Sequence, residues 1–213
     1  MEPSNKSDRL ATRTHAPQHK HTSANAAVLV IDMISDFDFE GADTLFEDAL
    51  NVAKCINNLK QRANERRLPV IYVNDNYGKW KNDFSATLEA AKSSEKGAQI
   101  TSILLPGSDD YHILKPQRSG FFATPLGVLL EILDVSDLII TGVTTDICIL
   151  FTAHDAYMRG FSVHVPADCT AAMQRQDHEN ALTLMSRIAD ARVENADALD
   201  LSQFHQDGKK HAA

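Results

Sequence analysis

The chain has 213 residues, 43% hydrophobic and 23% charged, which are the proportions of a globular protein rather than of a disordered one. A formal charge of -8, from 21 basic and 29 acidic side chains, argues against a nucleic-acid binder, which would need a basic face. No apolar run approaches the ~20 residues that cross a bilayer.

Residues 1–25 are polar and without periodicity. They lack the apolar core of a signal peptide, so the sequence predicts a flexible tail and a cytoplasmic protein. Three cysteines, Cys55, Cys148 and Cys169, show no CxxC spacing, which fits a reducing compartment and neither a disulfide scaffold nor a thiolate zinc site. A single domain is expected over 26–201, followed by a second flexible end over 202–213.

The first ordered run is AAVLVI (26–31), short, apolar and bounded by polar residues. Leu45, Ala49, Val52, Ile56 and Leu59 then recur as one stripe of an amphipathic helix. A second apolar run, LPVIYV (68–73), precedes the least regular stretch, 76–110, read as a polar helix around Asp83–Lys92 and a loop holding Pro106 and Gly107. HILK (112–115) follows as a short strand, and Pro125 opens a helix that runs to Leu133. DLIITG (137–142), a helix over Ile147–Met158, FSVHV (161–165), a helix over His178–Ala191 and a last strand at ARVEN (191–195) complete the chain. Runs buried on both faces that alternate with helices predict βαβ units, and so a three-layer α/β/α sandwich around a mostly parallel, Rossmann-like sheet.

In such sheets ligands bind beyond the carboxyl ends of the strands. The residues that follow the runs are Asp32, Asn74 with Asp75, Lys115, the segment GVTTDIC ending in Cys148, and Asp168 with Cys169. Cys55 and Cys169 read as small buried hydrophobes, and Asp146 as a helix cap. Cys148 differs, because a helix start presents free N–H groups and a positive dipole end that favour thiolate. A thiolate at Cys148, a proton-accepting carboxylate at Asp32 and an ammonium at Lys115 make a coherent set for nucleophilic attack on a carbonyl. No histidine follows a strand run as Asp32 does, which ranks a Cys–His dyad lower. No G-x-G-x-x-G follows the first run, which argues against a dinucleotide site.

The chain resembles the isochorismatase-like cysteine hydrolases. The resemblance spans Ala26 to Leu201 and rests on VIDM..DF with Asp32, Lys115 followed by SGF (119–121) and TPL (124–126), GVTTDIC, TAHDAYMRGF (152–161) and VPADCTAA (165–172). It implies an Asp32–Lys115–Cys148 triad, a cis peptide between Val143 and Thr144, and an oxyanion hole made by the Thr144 and Cys148 amides. It also implies a small-molecule substrate and a homo-oligomer whose neighbours complete the pocket. Nicotinamidases of the family bind a metal through an Asp-x-His motif. Here Asp75-Asn76-Tyr77 stands in its place, so neither metal nor cofactor is expected. Isochorismatases proper lack the nucleophilic cysteine, so Cys148 directs the reading toward C–N hydrolysis of an amide, carbamoyl or ureido compound. Vinyl-ether hydrolysis or a non-catalytic binding role are the alternatives. Phe37, Trp80 and Phe121 are candidate pocket walls, Asn74 a candidate hydrogen-bond partner for a substrate amide, and Arg118 a candidate partner for a substrate carboxylate.

Overall fold

The computed structural model describes residues 25–80 and 83–204. Strand β1 (Ala26–Ile31) is followed by α1 (Ala42–Glu65), β2 (Val70–Asp75), α2 (Phe84–Ser93), α3 (Glu95–Ile103), β3 (Tyr111–Lys115), α4 (Leu126–Ile132) and β4 (Asp137–Val143). One π turn (Thr145–Ile149) leads into α5 (Leu150–Met158), then β5 (Ser162–Pro166), β6 (Thr170–Ala171), α6 (Arg175–Ile188) and β7 (Arg192–Glu194). The sheet runs β3-β2-β1-β4-β5-β7, with β6 paired to β4, and every pairing is parallel.

Every residue of β1 is buried, and alternate side chains feed two cores. Val28 and Val30 pack with Leu45, Ala49, Ile56 and Leu59 of α1 on one face. Leu29 and Ile31 pack with Leu126, Leu130, Ile149 and Ala153 on the other. A strand clad by helices on both sides has no solvent face, which is why its sequence is continuously apolar rather than alternating. The apolar stripe read from 45–59 is the buried face of α1. Lys60 on that face is accommodated because its Nζ reaches Tyr72 Oη (2.9 Å) and Asp110 (2.6 Å).

The stretch 76–110 holds more helix than the sequence suggested. Asp83 caps α2 by accepting from the Ala86 amide, but the residues read as a loop contain α3. Ser94 ends one helix and caps the next, accepting from the Gly97 amide at 2.9 Å while donating to the Asp36 carbonyl at 2.6 Å. Gly97 lets α3 approach closely, since a Cβ there would sit 2.3 Å from the Ser35 carbonyl oxygen.

The expected tails lie mostly outside the described residues. Asn25 is an exception, its carbonyl accepting from the Ser136 and Asp137 amides. So is Phe204, which is buried against the His164 ring, so the packed part of the chain extends past residue 201. Among the described residues no helix is long and apolar enough to cross a membrane.

Candidate active site

The chain moves outward from β1 through β2 to β3, then returns to lay β4 on the opposite side of β1. The loops leaving β1 and β4 therefore diverge and open a crevice, the topological switch point at which open parallel sheets bind ligands. Asp32 leaves β1 at this point, with φ of 54° and its amide donating to the Val73 carbonyl. The Val143–Thr144 peptide at the end of β4 is cis, and the π turn behind it carries Cys148. Such turns recur at functional sites. Here it begins the element expected to start as a plain helix at Ile147.

Three side chains converge on this crevice. Lys115, the last residue of β3, is wholly buried and places Nζ 2.8 Å from Asp32 Oδ2 and 3.5 Å from Cys148 Sγ. Asp75, ending β2 between them, donates its amide to Asp32 Oδ1 at 2.8 Å, and its own carboxylate lies 3.6 Å from Lys115 Nζ. Asp75 followed a strand run in the sequence but gave no sign of this role. It shows only once β2 is seen to lie between β1 and β3.

Burial dominates the electrostatics. It pushes the Asp32 carboxyl above the usual range, against the opposing effects of Lys115, Cys148 and the Asp75 amide. Burial and the Asp32 charge push the Cys148 thiol up to about 12, with Lys115 pulling the other way. Burial alone would discharge Lys115, but Asp32, Cys148 and Asp75 outweigh it and hold the ammonium above its ordinary range. The thiolate expected from the helix-start argument is thus corrected. In a buried site, a neighbouring carboxylate and lost solvation exceed the effect of a turn dipole and one ammonium. At rest the sulfur therefore holds its proton, with the Asp32 carboxyl beside it.

The other sequence candidates scatter. Phe37 is buried beside Phe39 and Phe46 in the core on the α1 face, whereas Phe121 is buried on the opposite face against Phe161. Each therefore packs into a different one of the two cores. Asn74 is fully buried, and its Nδ2 donates to the Ile34 carbonyl at 2.8 Å, bracing the loop after Asp32, while its Oδ1 has no hydrogen-bond partner among the described residues. Trp80 is 77% exposed, and Arg118 lies over the Phe151 ring, 5.9 Å from its centroid.

Two motifs of the sequence lock together. Ser119 Oγ donates to Asp155 Oδ2 at 2.7 Å, and Thr152 Oγ1 accepts from the Gly120 amide while donating to the Cys148 carbonyl. SGF and TAHDA thereby hold α5 and the cysteine turn against the loop after Lys115. Tyr77, where the metal-ligand histidine was found missing, donates its hydroxyl to Ser35 Oγ at 3.0 Å. Among the described residues no group of three or more His, Cys, Asp or Glu side chains is arranged to hold a metal ion.

Comparison with known proteins places this geometry in context. Residues 26–195 match the model of the isochorismatase domain. The chain is 38% identical over 172 residues to the uncharacterized isochorismatase family protein YaaI of Bacillus subtilis, covering 81% of this chain and 94% of that protein. It is 32% identical over 175 residues to a protein of Arabidopsis thaliana described as a probable inactive nicotinamidase, covering 77% and 89%. The crystal structure of the nicotinamidase SaPncA from Staphylococcus aureus superposes with a TM-score of 0.64 at 26% identity, over 80% of this chain and 98% of that one.

Proposed function

The chain belongs to the isochorismatase family, whose members are hydrolases and mostly amidases, and on that premise we propose that it is a metal-independent cysteine hydrolase. Its substrate is a small amide, carbamoyl or ureido compound, cleaved at a C–N bond. The observation that carries this reading is the convergence of Asp32 and Cys148 within 3.5 Å of the buried Lys115 ammonium at the switch point.

The chemistry follows from the resting charges. When a carbonyl carbon meets Cys148 Sγ, the forming C–S bond acidifies the thiol, and Asp32 accepts its proton. Burial has already made that carboxylate a stronger base. The amides of Thr144 and Cys148 take the developing oxyanion. The C–N bond then breaks, the amine leaves with the proton from Asp32, and an acyl-enzyme remains on sulfur. Water deprotonated by Asp32 attacks this thioester and regenerates the thiol. Lys115 stays charged throughout and keeps Asp32 aligned.

The test is an ammonia-release screen over small amides, carbamoyl and ureido compounds in the presence of EDTA, with acid quench and peptide mass analysis. Turnover with a substrate-derived mass on the Cys148 peptide, both absent in Cys148→Ala, is the expected result. Turnover that survives Cys148→Ala overturns the reading. A second reading, a binding member without turnover, draws on the relative described as a probable inactive nicotinamidase. A ligand that raises Tm but leaves no acyl adduct would favour it.

A further inference from the structure

The cysteine turn is tied from outside the triad. His178, in the first turns of α6, places Nδ1 2.8 Å from Thr145 Oγ1. Thr145 is completely buried, and among the described residues this is the one hydrogen bond its hydroxyl makes. Its carbonyl accepts from the Leu150 amide to close the π turn. It stands in the chain between Thr144, at the cis peptide, and Cys148. The histidine therefore grips the turn at the residue where its direction is set. Whichever nitrogen carries the ring proton, Nδ1 and the hydroxyl form a donor–acceptor pair.

His178 is only half-buried and lines a groove of about 380 Å³ with Asp48, Asn51, Arg175 and Glu179. The charges facing it are Asp48 from α1, Asp146 from the π turn, and Glu179 and Arg175 from its own helix. Arg175 is already engaged with Glu179 at 2.9 Å. Asp146 Oδ1 is buried without a hydrogen-bond partner, so Asp146 supplies no tether that could replace the Thr145–His178 pair.

We propose that His178 is a positioning residue, which through Thr145 fixes the π turn so that the Cys148 thiol stays beside Asp32 and Lys115. The proposal rests on Cys148 being the nucleophile, but its test reads the thiol itself and needs no substrate. If the tether is cut, the turn relaxes and the thiol moves away from the buried carboxylate that keeps it protonated. Its alkylation by iodoacetamide then accelerates.

The experiment follows alkylation of Cys148 against pH by peptide mass in the wild type, His178→Leu, His178→Asn, Thr145→Val and the Leu/Val double variant. His178→Asn keeps a hydrogen-bonding atom near the place of Nδ1, and Cys169, which is fully buried, reports loss of the whole fold. Expected is a rise of at least about tenfold at pH 8, one unit of pKa, in both His178→Leu and Thr145→Val. The double variant should go no further and His178→Asn should stay near wild type. Wild-type rates in either single variant, additive effects in the double, or Cys169 reacting as fast as Cys148 would each overturn the proposal. Failure of the substrate screen would leave these rates unchanged, so the two readings fail separately.

Discussion

Lys115 Nζ lies 2.8 Å from Asp32 Oδ2 although β3 and β1 are not neighbours in the sheet. The lysine reaches past the end of β2, whose own terminal residue, Asp75, donates its amide to the same carboxylate. A fully buried ammonium and a nearly buried carboxylate each make the other tolerable, and removing one leaves the other uncompensated.

Lys115→Met should therefore cost about 3–5 kcal/mol of stability, the usual penalty for orphaning a buried charge. Adding Asp32→Asn should recover most of it, because the stranded carboxylate is then neutral. Urea unfolding of the two variants decides the point. A double variant no more stable than Lys115→Met would show that packing, not charge, sets the loss.

Asp32→Asn alone should separate thiol acidity from catalysis. Turnover should fall by about 10²–10⁴ with loss of the general base. The Cys148 thiol, in contrast, should titrate lower than in the wild type, since the Asp32 charge is one of the forces that push it up to about 12. Alkylation against pH measures this, and an unchanged or higher midpoint would mean that the carboxylate does not act on the sulfur.

The pH profile of kcat/KM should be broad. Asp32 must be ionised to act as base, and its pKa is raised. Activity should therefore be lost on acidification at a midpoint above the ordinary carboxylate value of about 4. Lys115 must be charged, and its pKa is raised too, so no alkaline loss should appear before pH ~10. The same shift adds stability that is fully present below the unfolded lysine pKa and is lost as pH rises through the folded one. A fall in activity centred near pH 8 would contradict the assignment of the ammonium.

Gly97→Ala should affect a site it does not touch. The added methyl would meet the Ser35 and Ala91 carbonyl oxygens at 2.3 and 2.5 Å, so α3 must retreat from the loop after Asp32. A loss of about 1–3 kcal/mol is expected for such overpacking, with a lowered kcat in the folded enzyme. Equilibrium unfolding and steady-state kinetics on the same preparation check both, and wild-type values in each would remove α3 from the support of that loop.

The strands, their parallel pairing and the three side chains gathered at the crevice were legible because a doubly clad sheet writes continuous apolar runs and the residues at its carboxyl edge follow them directly. Asp32, Lys115 and Cys148 each end or follow such a run. What was hidden depends on contacts across the chain. The helix over 95–103 is short and polar on its outer side, and its only local mark is Ser94 ahead of Gly97. Phe37 and Phe121 looked like partners in sequence, yet the loops after β1 and β3 that carry them pack into different cores. The thiol's acidity was misjudged because a helix start can be read locally, whereas the burial of Asp32 beside it cannot.

The strand pair that opens the crevice also sets when the crevice can exist. β4 lies against β1, and Thr141 Oγ1 donates to the Leu29 carbonyl from 112 residues away in sequence. Contacts this distant carry a large loop-closure cost and form late and slowly. During refolding, Cys148 should thus remain openly reactive while the β1–β2 half consolidates, and should become shielded only when β4 docks. Pulsed alkylation of Cys148 would then serve as a clock for the last long-range step of assembly, read at the sulfur proposed as nucleophile.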